Sequence, residues 1–343
     1  MDLNHKEFTL NLKEFSLKLK KLKRSPKFGK VFELYRQQEL LTLSENTLNR
    51  QFKVYQKHLD KLNDLRIDKI EPLFVQEFLL KELYLEEKYT TLLYITRLLV
   101  TFFDFAQTCG LIQTNPLKQI YALPLLKKSQ QMQNRLLKHR ATLNYKNLRF
   151  ELMQVIKTFE KKGSARRKLL LEISLRTILR PREVCSLKIT DLDLKRMVLK
   201  VYKTKTLDLF EIPLTDPLLK ALNQAYALFG SKTHGFIFSG LRDQNKPLSP
   251  QTLNKALKEL GFKDKLCAHG IRSIASNYFA AHSDKIHPWV AEAMLQHSVG
   301  SRVARAYRHD DYFYERVKVT ELWNNFLDGI YGQLRIPLNK KDN

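Results

Sequence analysis

The residues best suited to catalysis in this 343-residue chain are two arginines, two histidines and a tyrosine in its C-terminal half. They are Arg180, His269, Arg272, His297 and Tyr307. A phosphodiester is broken without a metal ion when a nucleophile attacks phosphorus, positive charge meets the non-bridging oxygens and an acid protonates the leaving oxygen. A guanidinium suits the second task because its planar fork binds phosphate oxygens bidentately and keeps its charge. Residues of these types could act together on a phosphodiester, with a tyrosine hydroxyl as the nucleophile.

Short helices and one hairpin are expected to position these side chains. Residues 148–159 and 165–179 show a helical period of apolar residues. Two β-rich runs, residues 197–202 and 207–212, lie close enough in sequence to form a hairpin. Helices return at about residue 216 and dominate the rest of the chain, which predicts a mixed second half.

The first half is predicted to be a small helical bundle. Over residues 28–120, apolar side chains return every three or four positions. Ser44 precedes one helix, and Pro72 lies early in the next, where its missing N–H costs little. A long apolar helix starts near Thr90, and Gly110 provides its end.

The net charge of the chain is strongly positive, because 60 Lys and Arg residues outnumber 35 Asp and Glu residues and give +25. Self-repulsion of that size destabilises a compact fold unless a polyanion relieves it, so nucleic acid is the expected partner. Residues 118–149 contain eight basic residues and no acid. We interpret this segment as a linker that contacts phosphates and releases their counterions. The expected contact residues are Lys118, Lys127, Lys128, Arg135, Lys138 and Arg140.

Cysteine usage and hydropathy argue against other classes of protein. The three cysteines are Cys109, Cys185 and Cys267. They lack any C-x-x-C spacing, so we expect reduced thiols in a cytoplasmic protein and neither a zinc site nor a disulfide. No apolar run typical of a secretory signal follows the basic start. The most apolar segment, residues 91–106, is interrupted by Arg97 and Asp104, which argues against a membrane span.

Four short motifs resemble the conserved boxes of the tyrosine recombinase, or phage integrase, family. Residues 177–184 are similar to the first box, Thr-Gly-x-Arg-x-x-Glu followed by an aliphatic residue. Residues 269–272, His-Gly-Ile-Arg, match the second box, and residues 295–297 correspond to the family's Leu-Gly-His. Tyr307 follows in the place of the family's nucleophile.

The resemblance implies a role for each of these residues. It implies that Tyr307 attacks phosphorus, leaving a 3′-phosphotyrosine and a free 5′ hydroxyl, while His269 relays the tyrosine proton. The covalent intermediate keeps the energy of the broken bond, so the family needs neither ATP, nor a metal, nor another cofactor. The residues implied to surround the phosphate are Arg180, supported by Glu183, together with Arg272 and His297.

The acid for the leaving oxygen is implied to be a lysine of the hairpin. In the family this lysine lies about eight residues before a Pro-Leu that ends the hairpin, and counting back from Pro213 gives Lys205. Lys203 is two residues away and, by strand alternation, faces the same side. Lys203 is therefore the alternative candidate for the acid.

The step from His297 to Tyr307 is ten residues, one more than the family's commonest spacing. With the surrounding residues, it resembles the satellite-phage and genomic-island integrases. Three positions depart from the family pattern. Ile178 and Gln296 replace box glycines, and Arg308 stands where Asn is usual. None of them removes a catalytic group, but Ile178 lies in the turn that presents the first arginine.

The resemblance covers roughly residues 28–330 and implies a mainly α fold with a small β-hairpin or sheet, in two domains. We expect a basic segment at 1–27, a helical core-binding domain at 28–120, a basic linker at 121–146 and a mixed α/β catalytic domain at 147–343. The first segment is read equally as a solvated end or as a DNA-contacting arm. The implied partners are double-stranded DNA, a homotetramer on paired sites formed from monomers, and accessory DNA-bending proteins in a bacterial or phage-infected cytoplasm.

Each motif is weak by itself, because H-x-x-R and R-x-x-E spacings on helices are usually surface pairs. Tyr312 and Tyr314 also lie close enough to compete with Tyr307 for the nucleophile role. The order of four motifs behind a basic helical half favours a recombinase. The alternatives are a type IB topoisomerase, which uses the same chemistry without strand exchange, and a degenerate relative that only binds DNA. The apolar helix predicted at 317–331 either packs on its own domain or docks on a neighbouring protomer.

Overall fold

The computed structural model describes residues 17–19, 22, 26–40, 42–136, 141–202, 209–297 and 312–335. The chain divides into two compact units, Met1–Lys138 and His139–Asn343. Each unit has its own hydrophobic core.

The first unit is helical, as the periodicity over residues 28–120 predicts. Its helices are α1 (Phe28–Glu39), α2 (Glu45–Val54), α3 (Pro72–Val75), α4 (Lys81–Leu85), α5 (Tyr89–Thr108) and α6 (Pro124–Leu136). Wide π-type turns at Tyr55–Leu59 and Gln76–Leu80 continue α2 and join α3 to α4. Gly110 has a φ of 68° just beyond α5, the left-handed conformation that ends a helix.

An aromatic cluster holds α1 against α5. The rings of Phe28 and Phe102 lie 4.7 Å apart, and Phe32 stacks on Tyr55 at 4.4 Å.

Arg97 of α5 remains on the exposed side of the helix. Among the described helices, none has the length and apolar character required to cross a membrane.

The predicted linker over residues 121–146 contains a helix that belongs to the first unit. Pro124 occupies the first turn of α6, where its fixed φ favours helix formation. Leu126 is fully buried in the first core, whereas Lys127 and Lys128 are exposed. The many basic residues of this segment obscured its one apolar face. Residues 124–136 form a helix that packs on the first core through that face.

The second unit combines helices with one three-stranded antiparallel sheet. Its helices are α7 (Leu148–Lys162), α8 (Ala165–Thr177), α9 (Pro181–Ser186), α10 (Asp216–Phe229), α11 (Thr252–Leu257), α12 (Gly270–Ala281), α13 (Pro288–Met294) and α14 (Phe313–Arg335). Its strands are β1 (Leu192–Asp193), β2 (Val198–Tyr202) and β3 (Leu209–Pro213), in that order.

The predicted hairpin is confirmed with a shift of one or two residues. Strand β2 begins at Val198 because Met197 has a φ of 51°, which is not an extended conformation. It pairs with β3 from Val198 opposite Pro213 to Tyr202 opposite Leu209. The connecting residues 203–208 lie outside the described part of the chain.

Helix α14 packs on its own unit, in agreement with the first of the two interpretations of the final apolar helix. Trp323 is fully buried, and its indole Nε1 donates to the carbonyl of Leu175 in α8 at 2.7 Å. Buried Arg176 of α8 donates to Asn324 at 2.9 Å and to Asp328 at 2.8 Å. Apolar burial and buried hydrogen bonds therefore join α14 to α8.

Candidate active site

Two left-handed turns form the backbone of the candidate site. Ile178 follows α8 with a φ of 56°, and Gln296 follows α13 with a φ of 54°. Both residues stand at positions where the family motif has glycine, the residue that adopts this conformation most readily. The steric cost is about 1–2 kcal/mol for each non-glycine residue. The backbone conformation that glycine favours is thus kept at both positions.

Arg180 and Glu183 form a compact pair at the start of α9. The backbone N–H of Arg180 donates to Oε2 of Glu183 at 2.9 Å, and Nη1 of Arg180 donates to Oε1 at 3.0 Å. Pro181 occupies the first turn of the helix. Glu183 is buried, whereas the Arg180 side chain is 39% exposed. The carboxylate therefore anchors an arginine whose charge can still reach solvent or substrate.

Arg272 lies between the two left-handed turns. Its Nη1 donates to the carbonyl of Ile178 at 2.7 Å, and its Nη2 donates to the carbonyl of Leu295. The side chain is only 5% exposed, and these carbonyls satisfy part of its hydrogen-bonding capacity. One buried guanidinium thus brings together three motifs that are far apart in the sequence.

His269 and His297 line one cleft together with Arg272. The other residues lining this cleft are Thr142, Ser273, Ser276, Asn277 and Leu295. His269 is the residue immediately before the first turn of α12. Nδ1 of His297 lies 2.7 Å from Oε2 of Glu292, which favours hydrogen on Nδ1 and leaves Nε2 for a substrate. Sequence motifs did not identify Glu292, although it lies little more than one helical turn before the histidine.

Gly270 allows the segment at Ala141 and Thr142 to pass closely over the first turn of α12. A Cβ at Gly270 would lie 2.1 Å from the carbonyl oxygen of Ala141. Thr142 donates to the carbonyl of Gly270 at 3.1 Å, and the N–H of Cys267 donates to Ala141 at 3.1 Å. The glycine of the His-Gly-Ile-Arg run therefore has a packing reason that the motif alone did not reveal.

Several predicted site residues lie outside the described part of the chain. They are Tyr307, Lys203, Lys205, Lys138 and Arg140. Lys203 and Lys205 fall between the paired ends of β2 and β3. The assignment of the nucleophile and of the leaving-group acid therefore stays a prediction.

The rival tyrosines stand at the start of α14. Tyr314 is 83% exposed, whereas Tyr312 is partly buried and packs against the second core. Of the other predicted DNA contacts, Lys118, Lys127 and Lys128 are exposed, and Arg135 lies in α6.

A basic and aromatic surface of the first unit was not predicted from the sequence. We call it the α2–α5 surface and define it by Arg50, Lys53, Lys57, Tyr94 and Arg97, which line two clefts that share Arg50. The guanidinium of Arg50 lies 4.0 Å from the centre of the Tyr94 ring. These residues are scattered in sequence, so only the folded helices place them together.

The electrostatics of this surface are seen at His58, which lines one of the two clefts. Burial lowers the pKa of His58 below its usual value, and the charges of Lys57, Lys61 and Lys88 lower it further. The pKa of the Tyr94 hydroxyl is raised by burial, with Arg50 opposing the shift. The surface thus combines positive potential with aromatic faces, a combination suited to nucleic acid. Among the described residues, no group of three or more His, Cys, Asp or Glu side chains is placed to hold a metal ion.

Comparison with known proteins identifies the second unit. Residues 145–313 match the model of the phage integrase family. Residues 145–313 thus form a domain of the phage integrase, or tyrosine recombinase, family, and the resemblance noted in the motifs is confirmed for this part of the chain. The proposed satellite-phage subgroup stays a prediction.

Prophage integrase IntA of Escherichia coli K12 is 34% identical over 151 residues, which are 43% of this chain and 36% of IntA. The chain thus spans about a third of the length of the curated relatives that it matches. A lambda integrase dimer bound to a COC′ core site has a TM-score of 0.61 at 21% identity, over 91% of this chain and 83% of that chain. A lambda integrase tetramer bound to a Holliday junction has a TM-score of 0.59 at 21% identity, over 82% and 77% of the two chains. These likenesses confirm the predicted fold class, mainly α with a small sheet.

Proposed function

We propose that this chain is a site-specific DNA recombinase that cuts and rejoins DNA in order to integrate, excise or resolve a mobile element. One observation carries the proposal. Buried Arg272 joins the turns of the first and third motifs, and its cleft also holds His269 and His297. The second unit thereby gathers cationic and hydrogen-bonding groups suited to one phosphate.

The proposed reaction proceeds through a 3′-phosphotyrosine. The hydroxyl oxygen of Tyr307 forms a bond to phosphorus, the bond from phosphorus to the 5′ oxygen breaks, and His269 takes the tyrosine proton. Lys205, or alternatively Lys203, protonates the 5′ oxygen. Arg180 and Arg272 neutralise the charge on the pentacoordinate phosphorus, and His297 binds a non-bridging oxygen. Attack of a 5′ hydroxyl on the phosphotyrosine reverses the steps and rejoins a strand.

Double-stranded DNA is the proposed substrate, contacted by both units. The net charge of +25, the α2–α5 surface and exposed Lys118, Lys127 and Lys128 support this part of the proposal. Lambda integrase has been captured as a dimer on a core site and as a tetramer on a Holliday junction. We extend that scheme to this chain as monomers that assemble into a homotetramer on paired sites, with accessory DNA-bending proteins, in the cytoplasm of a bacterial cell.

The direct test is covalent trapping on a nicked suicide substrate, from which the short fragment that carries the free 5′ hydroxyl diffuses away. Wild-type protein is expected to form a DNA adduct that survives denaturation, and Tyr307→Phe is expected to form none. Tyr314→Phe is the matched control because its ring is 83% exposed, and it should retain the adduct. An adduct with Tyr307→Phe that disappears in Tyr312→Phe would transfer the nucleophile role to Tyr312.

The same protein distinguishes the competing functions in a two-site assay. Recombinant products support the recombinase. Supercoil relaxation with adducts but without recombinants would indicate type IB topoisomerase-like activity. DNA binding without any adduct would indicate a degenerate relative that serves as an architectural factor.

A further inference from the structure

Gln296 occupies a strained backbone position beside the candidate site. Its φ of 54° is left-handed, a conformation that favours glycine and asparagine over glutamine. Such residues persist where their surroundings hold them, and they concentrate at functional sites. The strain at Gln296 therefore suggests that its side chain makes contacts that matter for the site.

The amide of Gln296 contacts both members of the Arg180–Glu183 pair. Its Oε1 accepts a hydrogen bond from Nη1 of Arg180 at 2.8 Å. Its Nε2 lies 3.5 Å from Oε2 of Glu183, a longer and weaker contact. Nη1 of Arg180 also donates to Oε1 of Glu183 at 3.0 Å. Both hydrogens of Nη1 are thus engaged, one by a carboxylate and one by an amide.

Fixing Nη1 from two sides also fixes the direction of the rest of the guanidinium, because the group is planar and rigid. The edge formed by Nε and Nη2 of Arg180 makes no side-chain hydrogen bond with any residue that the structure describes. That edge carries two parallel N–H donors, the pattern that binds phosphate bidentately. The amide acceptor carries no negative charge. The positive potential that Arg180 offers to a phosphate is therefore less neutralised than it would be between two carboxylates.

We propose that Gln296 is a positioning residue that orients Arg180 toward the scissile phosphate. This inference rests on the proposed function. Glu183 provides a charged anchor on one side of Nη1, and Gln296 provides a neutral anchor on the other. The glutamine thus adds a restraint that a glycine at this position lacks.

Single-turnover cleavage of the suicide substrate by Gln296→Met and Gln296→Gly tests the proposal. Methionine keeps the length of the side chain without the amide, and the cleavage rate at saturating protein is expected to fall roughly 10- to 100-fold. The Kd for DNA should change by less than about twofold, because the first unit and the linker remain intact. Glycine relieves the strained backbone, so the thermal midpoint should hold or rise while the cleavage rate still falls. Gln224→Met, at an exposed position of α10, is the matched control and should cleave like the wild type.

A second substrate separates positioning from general distortion of the site. A methylphosphonate at the scissile position lacks the charge that Arg180 neutralises, so the loss caused by Gln296→Met should shrink to within about threefold. An equal loss on both substrates would overturn the inference, as would wild-type cleavage rates for Gln296→Met on the phosphate. If the wild-type protein forms no adduct at all, the proposed function fails and this inference with it. If the wild type cleaves and the variants cleave equally fast, only the inference fails.

Discussion

Individual residues of the site differ in how far the sequence alone identifies them. Arg180 and Glu183 lie three residues apart, and the pair is visible as a local spacing that the structure realises as a buried carboxylate beneath an arginine. The contact of Gln296 with Arg180 spans 116 positions, and local patterns carry no information at that distance. The sequence marked Gln296 only as a departure from glycine. The structure gives that departure a hydrogen-bonding partner.

Gly270 provides a test of close packing at the scale of one residue. Gly270→Ala places a Cβ 2.1 Å from a backbone oxygen that cannot move without shifting the chain at Ala141. We expect the free energy of unfolding to fall by about 1–3 kcal/mol, measured by chemical denaturation. Gly332→Ala is the matched control, because nothing lies within 4 Å of its added Cβ at an exposed position of α14. It should gain about 0.5–1 kcal/mol from helix propensity, and an equal gain in both variants would contradict the packing argument.

Secondary-structure elements were predictable where one face of the chain is clearly apolar. The period of apolar residues in α5 and the alternation in β2 and β3 identified those elements within a few residues. Helix α6 was concealed, because its many basic and polar residues outweigh the few that it buries. The packing of α14 was left open, since an apolar stripe fits its own domain and a neighbour equally well. The tertiary contacts of Trp323 show that the stripe packs on its own unit.

Arg176 joins two of these elements and provides a test at their scale. The side chain is buried and is bonded to Glu172, Asn324 and Asp328. Arg176→Met removes the cation that pairs with Glu172 and Asp328, so we expect the second unit to lose about 3–5 kcal/mol of stability in urea denaturation. The exposed loop residue Arg242 offers a control, and Arg242→Met should stay within about 0.5 kcal/mol of the wild type. A small loss for Arg176→Met would show that α14 is held by apolar burial alone.

At the scale of the whole molecule, the positive charge predicts how the proposed DNA binding responds to salt. Removing one cationic side chain that binds a phosphate should reduce the slope of log affinity against log salt concentration by about 1, because fewer counterions are released. Lys57→Gln and Arg97→Gln remove two charges of the α2–α5 surface. The double variant should lower the slope by about 2 for every DNA sequence alike, as measured by fluorescence anisotropy.

Lys81→Gln is the comparison for that experiment, because Lys81 is already paired with Glu77 at 2.7 Å. Its slope should remain that of the wild-type protein. A double variant with an unchanged slope would place the DNA-contacting face elsewhere on the first unit. Net charge was sufficient to predict a polyanionic partner, but the location of the face was not, since it depends on the folded arrangement of α2 and α5.

The bridging position of Arg272 has a consequence for protein synthesis. Its two carbonyl partners lie 94 residues before it and 23 residues after it. A nascent chain that has emerged only as far as α12 has the basic first unit and Arg180, but it has neither the Leu295 carbonyl nor Gln296. On the proposed function, such a chain can bind DNA through its charge before its arginines are held together. On the proposed function, competence to cut is therefore acquired late in translation, after the residues that follow α12 have been added.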